Sequence, residues 1–242
     1  MKLTLPDQVK KTMKTLTQKG FQAYVVGGSV RDMLLGRETK DWDFTTNATP
    51  EEILSLFPDS FYDNKFGTVG VPFEKSKIKN QKSKIQFKNQ NLKDIFEITT
   101  FRSEQGYSDH RHPDKITWGK TVEEDLSRRD FTINAIAYDV KNLIDPFRGQ
   151  EDIDNKVIKA VGDPSKRFEE DALRIMRAVR LATQLGFIIE PTTFAAIKEK
   201  APQIINVSGE RIRDELLKIL SSPYPYEGVM MLKNAGLLTR IL

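Results

Sequence analysis

The sequence lacks cysteine and contains only two histidines, His110 and His112, among its 242 residues. The absence of cysteine excludes disulfides, thiolate nucleophiles and cysteine-bound zinc. The two histidines have no third ligand in view, so we interpret them as part of a polar loop rather than as a zinc site. A chain without cysteine also favours an intracellular location.

Long hydrophobic runs are missing as well. No apolar stretch approaches the roughly 20 residues of a membrane-spanning helix, and the first six residues lack the apolar core of a secretory signal. Hydrophobic residues make up 38% of the chain and charged residues 30%, which is typical of a globular protein with a polar surface. We therefore expect no membrane partner and a cytoplasmic location.

The formal net charge is only +4, but the basic residues concentrate at 75–93 and 166–180. This distribution permits a polyanionic partner such as RNA. The segment Lys75–Gln81 is nearly repeated by Lys82–Gln90, which indicates a lysine-rich insert at about 75–91. It is either an arm that contacts RNA or an unstructured hairpin tip. We favour the second interpretation because a polar repeat buries too little apolar area to order itself.

Two adjacent glycines, Gly27 and Gly28, follow an apolar run and precede Arg31. Glycine lets the backbone approach phosphate oxygens closely, and an arginine can pair with the same oxygens. Taken alone, a glycine pair after a strand is more often a plain tight turn. Arg31 beside Asp32 is equally typical of a surface ion pair.

An acidic pair, Asp41 and Asp43, comes shortly after these glycines. If residues 41–45 form a strand, the two carboxylates lie on one face, because strand side chains alternate. Mg²⁺ binds through one or two carboxylates together with substrate phosphates. A solvated loop is the alternative for the acidic pair alone, but its combination with the glycines and Arg31 indicates a site for a nucleoside triphosphate with Mg²⁺.

A helix predicted over 164–185 carries Asp171, Arg174, Arg177 and Arg180 at intervals of three. This spacing predicts a slowly turning polar ridge. The ridge is either a solvated face with ion pairs or a row of side chains that contact a nucleotide. In the second case arginine supplies a planar donor fork and aspartate accepts from an exocyclic amine.

The remaining pattern predicts a mixed first half and a helical second half. Helices are expected at 6–19 and after Thr49, and strands at 21–26, 67–73 and 94–102. Residues 103–118 are polar and rich in turn-forming residues. The pattern becomes helical after residue 146, which predicts an α+β protein with two domains that meet near that residue.

Four segments, 27–37, 41–44, 128–135 and 170–174, resemble the ordered signature motifs of class II tRNA nucleotidyltransferases. These are the bacterial-type CCA-adding enzymes, and poly(A) polymerases are close relatives. The resemblance implies an α+β fold with a DNA polymerase β-like nucleotidyltransferase head, a small mixed sheet with helices, at 1–146. It implies an all-helical neck for nucleotide selection at 147–207 and the start of a helical body at 208–242. Because family members normally continue further, we expect a truncated body.

The resemblance also assigns roles to individual residues. Asp41 and Asp43 match the catalytic metal ligands, and Glu97 is a candidate third carboxylate. The residues that match nucleotide contacts are Gly27, Gly28, Arg31, Arg129, Asp130, Asp171, Arg174, Arg177 and Arg180. Among these, Asp171 and Arg174 match the pair that recognises cytosine or adenine.

The implied activity is template-independent addition of C, A or both from CTP and ATP to the 3′ end of tRNA. It is implied to depend on Mg²⁺ and to release pyrophosphate. Residues 102–114 resemble the flexible loop of members that add CCA or the terminal A, which favours those products. The alternatives are a poly(A) polymerase built on the same head, or a truncated or non-catalytic relative that binds RNA.

Overall fold

The computed structural model describes residues 3–39, 41–64, 67–73, 95–107 and 113–242. The lysine-rich insert predicted at 75–91 and the two histidines lie outside the described residues, so their interpretations stay predictions. Within the described ranges, no helix has both the length and the apolar character needed to cross a membrane.

The chain divides into two compact units. Unit 1 comprises Met1–Ser103, Trp118–Asp125 and Ala137–Ile144, and unit 2 comprises Glu104–Thr117, Leu126–Ile136 and Asp145–Leu242. The final segment of unit 2 begins at Asp145, next to the domain boundary that we predicted near residue 146. Two segments that precede this boundary, Glu104–Thr117 and Leu126–Ile136, also belong to unit 2. A single boundary in the sequence therefore does not separate the two units. The division into head, neck and body stays a prediction.

Unit 1 is built on a mixed sheet. The strands described up to residue 144 are β1 (Ala23–Val26), β2 (Asp43–Thr46), β3 (Phe61–Asn64), β4 (Thr68–Pro72), β5 (Ile95–Thr100), β6 (Arg102–Gln105), β7 (Lys115–Trp118), β8 (Ala137–Tyr138) and β9 (Leu143–Ile144). In the described residues, seven strands form one sheet in the order β3-β4-β5-β2-β1-β8-β9, and β6 pairs with β7 separately. Only β2 and β5 run parallel among the neighbours in the seven-stranded sheet.

Four helices accompany these strands in the described residues: α1 (Asp7–Thr17), α2 (Gly28–Leu34), α3 (Pro50–Leu56) and α4 (Val122–Ser127). The helix predicted at 6–19 is confirmed, and its apolar residues Val9, Met13 and Leu16 are buried along one stripe. The predicted start of α3 is also confirmed. Thr49 and Glu52 form a reciprocal capping box in which each side chain accepts from the other's backbone N–H.

Unit 2 is mainly helical. Its described helices after residue 144 are α5 (Gly149–Asp154), α6 (Pro164–Glu170), α7 (Leu173–Leu185), α8 (Pro191–Lys200), α9 (Gly209–Leu220), α10 (Pro225–Asn234) and α11 (Leu238–Ile241). Two short strands, β10 (Val157–Ile158) and β11 (Ile188–Ile189), pair in parallel. The core includes the apolar face of α7, where Ile175, Met176 and Val179 are fully buried.

The continuous helix predicted over 164–185 is wrong, because α6 ends at Glu170 and α7 begins at Leu173. Asp171 interrupts the helix with an extended backbone, at φ −148° and ψ 105°. Its side-chain Oδ1 accepts from the backbone N–H of Leu173 at 3.0 Å. Aspartate side chains compete with helical hydrogen bonds in this way, and they favour helix starts over helix interiors.

Two further predictions from the sequence need correction. The strand predicted over 41–45 begins only at Asp43, because its neighbour β1 ends opposite it at Val26 and turns away at Gly27. The region at 103–118, which we expected to be rich in turns, contains most of β6 and the whole of β7. Each strand has only four residues, β6 has no apolar residue and β7 has only Ile116 and Trp118, so neither gives a pattern long enough to predict a strand.

Candidate active-site residues

The glycine pair lies where β1 ends and α2 begins. Gly27 has φ 78°, a conformation that favours glycine because it has no Cβ. Gly28 is different, since a Cβ at this position would meet only the guanidinium of Arg31, at 3.5 Å. That distance is an ordinary contact. Packing against the described residues therefore does not explain glycine at position 28, and close approach of a phosphate stays the predicted reason.

Arg31 is oriented by its neighbour in the sequence. Its Nε and Nη2 lie 2.9 and 2.8 Å from Oδ1 of Asp32. The ion pair considered from the sequence is thus present, although the Arg31 side chain is mostly buried rather than on the surface. A guanidinium has five N–H donors, so this pair does not by itself prevent a contact with phosphate.

The first candidate carboxylates lie at the start of β2. Asp43 is the first residue of that strand and is half-buried, whereas Asp41 precedes the strand and is exposed. The argument that both side chains share a face because strand residues alternate therefore does not apply to Asp41. Their role as metal ligands stays a prediction.

Glu97 is the third candidate carboxylate. It lies on β5 and is the Cα partner of Asp43 in the parallel pair β2–β5. Aligned residues on neighbouring strands project from the same face of a sheet. The neighbours Phe96 and Ile98 are buried while Glu97 is exposed. The strand predicted at 94–102 is therefore present and places Glu97 beside Asp43, and the role of Glu97 toward a metal stays a prediction.

The donor chemistry at this sheet edge fits a divalent metal ion. Across the residues that the structure describes, no group of three or more histidine, aspartate or glutamate side chains is arranged to hold a metal. Mg²⁺ does not need such a cage, because it binds through one or two carboxylates plus substrate phosphates and water. Asp41 and Asp43, with Glu97 aligned on the next strand, supply suitable oxygen donors.

In unit 2 the arginines of α7 are each held by an acidic residue. Arg174 pairs with Glu170, Arg177 with Asp130, and Arg180 with Glu215. The last contact joins Nε of Arg180 to Oε2 of Glu215 at 2.8 Å. All three arginines are partly or mostly buried. The ridge is therefore not a solvated face, since acidic groups from several segments fix its guanidiniums.

Arg174 is fixed from three directions. Its Nη1 donates to the carbonyl oxygen of Arg167 at 3.1 Å and to the carboxylate of Glu170, and its Nη2 donates to the carbonyl of Arg128 at 3.2 Å. The backbone N–H of Arg174 also donates to the carbonyl of Asp171 at 3.0 Å. The predicted base-reading pair, Asp171 and Arg174, therefore lies within one turn at the start of α7.

Asp130 is buried, and the same chain occupies both of its carboxylate oxygens. Oδ2 accepts from Nε of Arg177 at 2.8 Å and from Nη2, while Oδ1 accepts from the N–H of Phe131 at 2.8 Å and from Asn134 at 3.2 Å. The geometry thus shows Asp130 supporting Arg177. The predicted contacts of Asp130 and Arg129 with a nucleotide stay predictions.

The environment of Asp130 changes its acidity. Burial by itself raises the pKa of this carboxyl, but the positive charge and hydrogen bonds of Arg177, with smaller contributions from Arg174 and Asn134, outweigh burial. The pKa of Asp130 therefore lies well below its ordinary value. The attraction of Asp130 likewise raises the pKa of Arg177, so the pair is ionised throughout the physiological range.

The sequence analysis did not identify the residues on other segments that pair with Asp171 and Arg180. Arg211 and Glu215 lie four residues apart on α9, and they bind Asp171 and Arg180 respectively. Their spacing predicts a shared helix face, which was the available signal. A second missed group joins Glu104 to Arg128 at 3.2 Å and to the hydroxyl of Tyr107. Burial, followed by the nearby Glu104, raises the pKa of Tyr107.

The mixed sheet with aligned carboxylates on β2 and β5, followed by a helical region, agrees with the nucleotidyltransferase head that the sequence resemblance implied. The domain family described as "Poly A polymerase head domain" matches residues 23–159, and a second, described as "Probable RNA and SrmB- binding site of polymerase A", matches residues 186–242. The chain belongs to the poly A polymerase head domain family. The resemblance and the α+β fold predicted from the sequence are thereby confirmed.

Curated relatives share much of the sequence. The CCA-adding enzyme of Geobacillus kaustophilus (strain HTA426) is 42% identical over 233 residues, which is 96% of this chain and 53% of that protein. The CCA-adding enzyme of Lactobacillus helveticus (strain DPC 4571) is 46% identical over 225 residues, 91% of this chain and 52% of that protein. The chain therefore spans about half the length of the curated relatives it matches.

Solved structures show the same similarity. The CCA-adding enzyme of Bacillus stearothermophilus in complex with CTP is 37% identical, with a TM-score of 0.80 over 96% of this chain and 53% of that one. The Thermotoga maritima CCA-adding enzyme complexed with tRNA is 26% identical, with a TM-score of 0.74 over 95% of this chain and 50% of that one.

Proposed function

We propose that this chain carries the nucleotide-adding machinery of a template-independent tRNA nucleotidyltransferase. It adds C, A or both from CTP and ATP to the 3′ end of tRNA and releases pyrophosphate. One observation carries the proposal: Asp171 and Arg174 lie within one turn of each other at the start of α7, and other groups of unit 2 hold each side chain. Because its substrate is tRNA, this activity belongs to the cytoplasm.

The Asp171–Arg174 pair suits amino-bearing bases. Cytosine and adenine each present an amino donor, at N4 and N6, whereas uracil and guanine present a carbonyl acceptor at the corresponding place. A carboxylate accepts from an amine and repels a carbonyl oxygen. Arginine donates to a neighbouring ring acceptor. The pair therefore selects CTP and ATP over UTP and GTP without a nucleic-acid template.

Unit 1 supplies the groups for phosphoryl transfer. Gly27, Gly28 and Arg31 contact the triphosphate through backbone and guanidinium N–H donors, and Asp41 and Asp43, with Glu97 as a third candidate, hold Mg²⁺. When bound, Mg²⁺ supplies Lewis-acid activation of the RNA 3′-hydroxyl and neutralises charge on the leaving pyrophosphate. The residues of this chain contribute positioning and electrostatic stabilisation, which dominate phosphoryl transfer.

Primer extension tests the proposal. tRNAs that lack one, two or three of their 3′-terminal nucleotides are incubated with each triphosphate singly and with Mg²⁺. We expect each tRNA to accept only the nucleotide that comes next in its CCA end, which is C or A. Addition of UTP or GTP with equal efficiency, or no addition by the wild-type chain, would contradict the proposal.

A poly(A) polymerase is the second candidate, since the matching head-domain family carries that name. The same assay separates the two activities. ATP supplied alone to a tRNA that lacks its whole CCA end would be built into a long A tract by a poly(A) polymerase. The proposed tRNA nucleotidyltransferase would leave that tRNA unextended when ATP is the only triphosphate.

A further inference from the structure

Asp171 depends on α9 for the orientation of its side chain. It lies in the break between α6 and α7, where no regular helix restrains it. The backbone N–H of Leu173 holds Oδ1 at 3.0 Å. Arg211, on α9, then holds both oxygens, with Nη2 at 2.8 Å from Oδ2 and Nη1 at 3.4 Å from Oδ1. Both side chains are mostly buried.

These contacts determine which lone pair of Asp171 remains for a ligand. An ionised carboxylate has about four acceptor sites, two on each oxygen. Within the described residues, Oδ1 accepts from Leu173 and Arg211, and Oδ2 accepts from Arg211 alone. The remaining acceptor site is therefore on Oδ2. The two-point contact with Arg211 also fixes the plane of the carboxylate, because a planar guanidinium fork binds a carboxylate in one orientation.

We propose that Arg211 is a positioning residue that sets the nucleotide specificity of Asp171. It holds the carboxylate so that one defined acceptor on Oδ2 meets the exocyclic amine of cytosine or adenine. This inference rests on the proposed function, because it concerns how the same base-reading pair is held. Without the fork, the carboxylate rotates about its side-chain bonds and no longer presents one fixed acceptor.

A second contact from the same helix supports this role. Glu215 lies one turn after Arg211 on α9, is buried, and pairs with Arg180 on α7. Residues four apart lie on one helix face. One face of α9 thus carries Arg211, which binds Asp171 of the predicted recognition pair, and Glu215, which binds Arg180 on α7. The two contacts hold α9 in one register against α7.

The test compares Arg211→Met, which removes the charge and the fork, with Arg211→Lys, which keeps the charge but loses the fork. Arg213→Met is the matched control, because Arg213 lies on the same helix, is 64% exposed and pairs only with its neighbour Asp214 among its described contacts. The dissociation constants of CTP, ATP, UTP and GTP with Mg²⁺ are measured by isothermal titration calorimetry on the 242-residue chain. Circular dichroism monitors folding.

We expect Arg211→Met to weaken CTP and ATP binding roughly tenfold, the usual effect of losing a hydrogen bond to a charged group, with little change for UTP and GTP. Arg211→Lys should fall between this variant and wild type, and Arg213→Met should equal wild type. An unchanged CTP-to-UTP ratio in Arg211→Met, or equal weakening of all four nucleotides, would overturn the inference. If Arg211→Met does not fold, the CTP-to-UTP ratio of dissociation constants is measured for Arg211→Lys instead, and an unchanged ratio would overturn the inference.

The two proposals fail in different ways. If the wild-type chain binds all four nucleotides equally, the proposed function fails and this inference fails with it. If the wild-type chain discriminates and Arg211→Met discriminates equally well, only the role of Arg211 is overturned.

Discussion

Arg177 on α7 donates two hydrogen bonds to one carboxylate oxygen of Asp130, a buried residue far away in the sequence. The other oxygen of Asp130 binds the backbone that follows it and Asn134. This contact joins the segment 128–135 to α7 within unit 2. It also makes the stability of that unit depend on the ionisation of one carboxyl group.

The first prediction concerns pH. The pKa of Asp130 is lower in the folded chain than its ordinary value of 3.8, so the ionised carboxylate stabilises the fold above about pH 4, and this contribution is lost as pH falls further. We expect Asp130→Asn to lower the free energy of unfolding by about 2 kcal/mol at pH 7. The difference from wild type should shrink below pH 4.

Urea denaturation at several pH values between 7 and 3 measures this difference. Asp7→Asn is the control, because Asp7 is fully exposed and pairs only with Lys10 among its described contacts. A difference between Asp130→Asn and wild type that stays constant over the whole range would contradict the role of the Asp130 charge.

The second prediction concerns the metal ligands. Asp41→Ala combined with Asp43→Ala should abolish nucleotide incorporation while the fold is kept, because Asp41 is exposed and Asp43 is half-buried at the start of its strand. Incorporation is measured by primer extension, and folding by circular dichroism. Glu97→Ala is tested alongside and should also reduce incorporation, and incorporation equal to that of wild type would remove Glu97 as a third ligand. Activity retained by the double variant would refute the metal assignment.

The third prediction concerns base selection. Arg174→Ala should remove the donor that reads the ring acceptor, so the preference for CTP and ATP over UTP and GTP should fall roughly tenfold or more. Relative kcat/KM values for the four triphosphates measure this preference. Selectivity equal to that of wild type would reject the role of Arg174. Arg213→Ala on α9 serves as an exposed arginine control.

The fourth prediction concerns packing within unit 2. A Cβ at Gly149 would lie 2.2 Å from the carbonyl oxygen of Thr132, so Gly149→Ala must displace backbone. We expect a loss of about 3 kcal/mol in the free energy of unfolding. At Gly209 a Cβ would meet nothing within 4 Å, so Gly209→Ala should leave stability unchanged or raise it slightly. Equal unfolding midpoints for the two variants would show that the Gly149 contact relaxes without cost.

The sequence was informative wherever a local rule decides the structure. The capping box at Thr49 and Glu52 and the buried stripe of α1 depend on spacings of three and four residues, which are visible in the chain itself. The family resemblance also depended on short ordered motifs. Local patterns therefore predicted the α+β class and several helices and strands, and they nominated candidate residues in both units whose roles stay predictions.

Local rules failed where a distant segment decides the outcome. The strand expected to include Asp41 starts only at Asp43, because its partner β1 ends opposite that residue. The predicted helix over 164–185 breaks at Asp171, whose carboxylate binds the N–H of Leu173 and the guanidinium of Arg211. A local sequence pattern predicts neither where a partner strand ends nor which residues of distant segments form an ion pair.

By itself, the chain determined which side chains are available for chemistry: two neighbouring carboxylates, a glycine pair, and an aspartate followed by regularly spaced arginines. Only the tertiary structure decided which of their hydrogen-bonding groups are already occupied. Asp130 is committed to Arg177, and Asp171 is shared with Arg211. The reason is physical: a buried charge must be paired, and its partner comes from whichever segment the fold packs against it.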